Sequence, residues 1–132
     1  MSTKIATDGV RSQNAVRFGL DLDAMTGMHW AAAALAAATG VVHLYLYAAQ
    51  AFVPFLFAGV VFLAAIAGML LLPYGHVARR AIYALGVPFT AGQIAVWYLA
   101  GMPDFALGVA DKAVQVALIL VLIGLFRAEM RR

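Results

Sequence analysis

The sequence predicts an all-α polytopic membrane protein, an up-down bundle of four transmembrane helices. Four long apolar runs, roughly residues 29–51, 52–72, 80–101 and 105–126, fill almost everything past the first two dozen of 132 residues. Each is long enough to cross a bilayer, since about 20 residues at 1.5 Å rise span the roughly 30 Å hydrocarbon layer. Composition agrees, with 65% of residues hydrophobic and 11% charged, where a soluble domain carries about a quarter charged residues. That excess does not fit inside one small core, which must still present a polar surface to water. The lipid bilayer is therefore the expected solvent.

Residues 1–24 mix charges with Ser, Asn and Gly and form a cytoplasmic or interfacial tail. Val16 to Leu22 is expected along the membrane surface, and Asp21 and Asp23 suit the start of a helix. The first apolar run comes after this segment, and it exceeds the roughly 7–15-residue core of a signal peptide. Residues 25–127 make up the transmembrane domain, and 128–132 a basic tail.

Helix 1 is rich in small residues, AAAALAAATG at 31–40, and Ala36 with Gly40 gives a small-xxx-small pair that lets backbones approach. Gln50, Ala51 and Phe52 form a turn, and Pro54 suits the first turn of helix 2. Helix 2 carries no polar side chain from Phe55 to Leu72 and repeats the small spacing at Ala64 and Gly68. It reads as the lipid- or dimer-facing helix. Pro73, Tyr74 and Gly75 close it. Pro88 falls near the middle of helix 3, removes one backbone hydrogen bond and is expected to kink the helix, with Thr90 or a neighbour serving the freed carbonyl. Gly101, Met102 and Pro103 make the next turn, and helix 4 runs from about Asp104 to Phe126.

Charge gives a direction. Four spans put the N-terminus, the connection between helices 2 and 3, and the C-terminus on one side. That side holds Lys4, Arg11, Arg17, Arg79, Arg80, Arg127, Arg131 and Arg132, leaving Lys112 alone on the other. The positive-inside rule places both termini in the cytoplasm.

Three helices carry a polar stripe. Thr39, His43, Tyr47 and Gln50 line one face of helix 1 at steps of 4, 4 and 3. Tyr83, Gly86, Thr90, Gln93 and Trp97 line one face of helix 3, and Asp111 and Gln115 lie one turn apart on helix 4. His43 is about 21 Å and Gln93 about 20 Å from the cytoplasmic end, while Asp111 is about 12 Å down from the outer end. These depths predict a cluster of His43, Gln93, Asp111 and Gln115 in the outer half of the bundle. An ionisable group there costs roughly 2.5–3.5 kcal/mol on insertion scales, so it tends to be paired or functional. One reading is a titratable Asp111–His43 pair serving proton transfer or a small polar ligand. The plainer one, favoured here, is a hydrogen-bond network that fixes helix register. Lys112, 100° around the helix from Asp111, is expected to snorkel outward as an anchor.

Several function classes lack their residues. Without cysteine there is no disulfide, iron–sulfur cluster or thiolate zinc site. The serines are Ser2 and Ser12, both in the tail, and there is no HExxH, phosphate-binding glycine loop or intramembrane carboxylate pair. An enzyme is not expected, nor any cofactor or metal. Basic residues sit at helix ends instead of forming a stripe with aromatics, which argues against nucleic acid. His29 and His43 have the spacing of two-haem cytochrome b helices, but no second helix carries an equal pair, although His76 lies at the same end as His29. A haem b electron carrier is therefore the least favoured reading.

Three stretches, GVVHLYL at 40–46, ALGVPFTAGQIAVWYLA at 84–100 and DKAVQVALIL at 111–120, together resemble small four-helix integral membrane proteins of halophilic archaea that have no assigned function. The likeness covers nearly all of residues 25–126. It implies an archaeal plasma membrane and transfers no site residues. The resulting expectation is a non-enzymatic accessory or scaffold subunit, a homo-oligomer or part of a membrane complex. A small proton- or solute-conducting unit built on the polar cluster is the alternative.

Overall fold

The computed structural model describes residues 25–71 and 75–132. The expected surface segment Val16–Leu22, Pro73, Tyr74 and the His76 side chain lie outside the described residues. Four helices account for nearly all of the remainder: α1 (Gly27–Gln50), α2 (Val53–Leu70), α3 (Gly75–Leu99) and α4 (Phe105–Met130). All four are long and apolar enough to cross a membrane, which makes the chain a helical bundle of multi-pass character.

The helices form a ring in chain order, with α4 returning to α1 and the α2–α3 contact the loosest. Neighbours run antiparallel. Along α1, Thr39 meets Asp111 of α4 and Gln50 meets Asp104 at the α4 N-cap, so rising numbers on one helix match falling numbers on the other. Glycine sets the closest approach between α1 and α2, where a β-carbon at Gly59 would stand 2.8 Å from the Leu44 side chain and 3.1 Å from the Gly40 carbonyl oxygen. Ala36, which is buried, and Gly40, which lies against Phe62 and Leu63, are thus spent on packing within the chain. Ala32 and Ala36 of α1, Phe62 and Met69 of α2, Tyr83 of α3, and Leu118, Leu122 and Leu125 of α4 make the core.

Three boundaries differ from those read in the sequence, each for a local reason. The N-cap of α1 is Thr26, three residues beyond Asp23. Its carbonyl accepts from the Trp30 N–H at 3.2 Å, and its own N–H donates to Nδ1 of His29 at 3.1 Å. A side chain three residues on thus satisfies the cap, in the manner of a capping box. α3 starts at Gly75 and continues past Pro88, yet the Thr90 hydroxyl is buried without a partner and so does not serve the carbonyl that proline frees. α4 runs to Met130, which draws most of the expected tail into the helix. The extension follows the buried face, since Asp111, Gln115, Leu118, Leu122, Leu125 and Glu129 recur at steps of 4, 3, 4, 3 and 4.

Candidate functional site

The residues that matter sit at two levels, separated by a mainly apolar layer. Toward the end bearing the α1–α2 and α3–α4 turns, Thr39 of α1 is the hub. Its hydroxyl donates to Oδ1 of Asp111 at 2.7 Å and accepts from Nε2 of Gln115 at 3.1 Å. Nδ1 of His43 donates to the Thr39 carbonyl at 2.8 Å, which leaves Nε2 of a neutral ring with its lone pair. Phe55 and Phe62 flank that ring, with centroids 6.0 and 5.7 Å away.

His43, Asp111 and Gln115 therefore do come together, through Thr39. The direct Asp111–His43 pair envisaged from depth does not form: His43 bonds to the Thr39 main chain and Asp111 to its side chain. Gln93 is half-buried and lines the same cavity without a hydrogen bond to the other three. Lys112 departs most from expectation, because Nζ lies 2.9 Å from Oδ2 of Asp111 and the side chain is only 12% exposed. Adjacent residues diverge by 100° on a helix, but the four-carbon lysine stem is flexible enough to fold back. Inside a low-dielectric bundle, pairing with a carboxylate 4% exposed outweighs the reach to the surface. Both carboxylate oxygens of Asp111 are thus engaged.

Beside this network lies a cavity of about 340 Å³, walled by His43, Gln93, Trp97, Asp104, Asp111 and Lys112 among others. At its rim Gln50 donates to Asp104 at 2.9 Å, tying the two turns together, and Nε1 of Trp97 donates to the Pro103 carbonyl at 2.9 Å. Two carboxylates, one ammonium and two amides can hold a small polar solute or pass a proton. Among the described residues, no group of three or more His, Asp or Glu side chains gathers to hold a metal ion.

Below Thr39 and Gln115 the interior turns apolar. Ala32, Ala36, Phe62, Leu118, Leu122 and Leu125 dominate it, around a gap of about 410 Å³ between α2 and α3 that the buried Thr90 also lines, and Leu118 to Leu125 alone covers about 10 Å along α4. At the opposite end, where α1 begins and α4 ends, a second polar set is buried: His29, Arg79, Tyr83 and Glu129. The His29 and Tyr83 rings stand 6.3 Å apart, and Arg80 donates to the Glu129 main-chain carbonyl at 2.8 Å. Nδ1 of His29 serves the α1 cap, so in the neutral ring Nε2 carries the proton, and that atom is buried without a partner.

No protein-family model matches the chain, and no curated protein or solved structure does either. The site is therefore read from its own geometry.

Sequence reasoning missed the hub and the second set. Thr39 lies on the helix 1 stripe, but a small hydroxyl carries no sequence signal that tells a hub from a bystander. Glu129 reads in the sequence as part of a basic tail. The signal that places it inside was present: it continues the alternating three- and four-residue steps of the Asp111 face.

Proposed function

We propose that the protein is a non-enzymatic, multi-pass membrane subunit with a mainly apolar vestibule at its turn end that a few polar side chains enter, acting as an accessory or scaffold component rather than a conduit. The observation that carries this reading is the apolar layer of Leu118, Leu122, Leu125 and Phe62 between the two polar levels. A proton or solute that reaches Asp111 from the turn end meets about 10 Å of hydrocarbon beyond it. The vestibule can bind, and beyond it, among the described residues, the Thr90 and Tyr83 hydroxyls interrupt the apolar stretch about 10 Å apart along α3, too far to hand a proton from one to the other.

The second reading, a proton- or solute-conducting unit, draws support from the Asp111–Lys112 ion pair itself, since ionisable residues in a membrane span commonly mark ion pathways. It requires an oligomer that supplies the missing route. The basic end is the cytoplasmic one on this proposal, by the weight of Arg79, Arg80, Arg127, Arg131 and Arg132. The resemblance to halophile membrane proteins favours an archaeal plasma membrane.

Proteoliposomes loaded with a pH-sensitive dye separate the two readings. The accessory reading expects proton flux equal to that of empty liposomes, together with a stoichiometric partner or a defined homo-oligomer after mild cross-linking in the native membrane. Flux above background that Asp111→Asn abolishes would overturn it in favour of conduction.

A further inference from the structure

The vestibule at the turn end contains polar atoms that the bundle leaves unsatisfied. His43 is 2% exposed, and its Nδ1 donates to the Thr39 carbonyl. In the neutral ring Nε2 is therefore an acceptor, and it has no partner among the described residues. Nε2 of His29 is sealed, whereas Nε2 of His43 is not, and the space that His43 lines is this cavity. Gln93 lines the same cavity, half-buried, and its carboxamide likewise has no partner among the described residues.

The charged groups of the cavity already answer one another. Lys112 neutralises Asp111, and both carboxylate oxygens of Asp111 are engaged. Asp104 stands at the exposed rim and accepts from Gln50. What is left inside is one acceptor and one amide, with no net charge. An ion bound there would lack a counter-charge, which is costly in apolar surroundings. A neutral hydroxyl, which donates and accepts at once, serves both groups. The walls are aromatic, with Phe52 and Phe55 at the start of α2 and Trp97 near the end of α3. Such rings pack well against another ring, offset or edge to face. A volume of about 340 Å³ lies within the range of small-molecule pockets, roughly 300–1,000 Å³.

We infer that the vestibule is a binding site for a neutral phenol. The phenolic O–H donates to Nε2 of His43, and the phenolic oxygen accepts from the Gln93 amide. The ring packs against Phe55, whose centroid is 6.0 Å from that of His43, with Trp97 as a further aromatic wall. Phe52, Ala100 and Asp104 at the mouth are exposed, so the ligand enters at the turn end. The inference rests on the accessory reading's claim that the vestibule binds, and it names what is bound.

Equilibrium binding to the full-length protein in nanodiscs tests it, with 2-naphthol and its methyl ether as probes. Protein-free nanodiscs subtract partition into lipid. The two probes share a ring system, and only 2-naphthol has an O–H to donate. Saturable uptake of 2-naphthol is expected, with an affinity at least about fivefold above that of the ether, the factor one hydrogen bond supplies. Gln93→Leu should weaken 2-naphthol about fivefold with helical content unchanged, because the amide holds no other described residue. His43→Phe keeps an aromatic ring and should bring 2-naphthol down to the level of the ether. Equal affinity for the two probes, or uptake no greater than by lipid alone, would overturn the inference on the wild-type chain without recourse to any variant. So would a 2-naphthol affinity unchanged in folded Gln93→Leu and His43→Phe. Proton flux and cross-linking are measured without either probe, so a failure here leaves the accessory reading standing.

Discussion

The Thr39 hydroxyl donates to Asp111 across the α1–α4 interface at 2.7 Å, joining residues 72 positions apart in the chain. The same oxygen accepts from Gln115, so one small side chain fixes the register of two helices. Thr39→Val keeps the shape and removes both bonds, leaving a buried carboxylate oxygen and a buried amide short of partners. Hydrogen bonds between membrane helices average below 1 kcal/mol because the dissociated helices find other partners, but this one has a charged acceptor. The expected loss is about 1–2 kcal/mol in reversible unfolding in mixed micelles, with Thr39→Ser close to wild type. Wild-type stability in Thr39→Val would show that Asp111 is held by Lys112 alone.

The Asp111–Lys112 pair makes a separate claim about lysine. A double-mutant cycle of Asp111→Asn and Lys112→Met should give a coupling of about 1–2 kcal/mol, above that of an exposed pair and below that of a fully buried one. Coupling indistinguishable from zero would return Lys112 to the role of a surface anchor.

The bundle was legible in the sequence because its determinants are one-dimensional: run length fixes the spans, and short turns fix antiparallel neighbours. The polar level was legible too, since helical rise converts residue number into depth for His43, Asp111 and Gln115. What depth cannot supply is direction at the end of a flexible side chain. Lys112 folds back on Asp111 although its Cβ points elsewhere, and His43 turns to a main-chain carbonyl instead of the carboxylate. Composition misled at Glu129, where a charged cluster resembled a solvated tail while its heptad-like spacing placed it inside. The α2–α3 groove had no sequence signature, because a gap depends on how loosely two apolar faces meet.

Packing predicts different outcomes for Gly→Ala at Gly59 on the α1–α2 seam and at Gly92 on α3. A β-carbon at Gly59 meets Leu44 at 2.8 Å and the Gly40 carbonyl at 3.1 Å, whereas at Gly92 nothing lies within 4 Å. Gly59→Ala should cost about 1–3 kcal/mol by forcing the helices apart. Gly92→Ala should be neutral or stabilising by up to about 1 kcal/mol, through helix propensity and a less flexible unfolded chain. The two unfolding midpoints, measured side by side, check both. Equal effects would mean that α1 and α2 do not approach as closely as Gly59 implies.

Glu129 tests whether the second polar level is structural. Its side chain is 3% exposed although it lies one residue from the end of α4, and it shares that end with Arg79, Arg80 and His29. Arg80 bonds to the Glu129 main chain, so Glu129→Gln leaves that contact in place and removes only the negative charge among the arginines. Breaking a fully buried ion pair costs about 3–5 kcal/mol; so near the membrane surface, where water and the arginines can rearrange, about 1–3 kcal/mol is expected. Arg127→Gln, one turn from the helix end and exposed, is the control and should change stability by no more than about 0.5 kcal/mol. Because the Glu129 carboxylate is enclosed, its effect should persist in high salt, where exposed charges are screened. A loss in Glu129→Gln that vanishes at high salt would mark the residue as part of the solvated tail the sequence suggested.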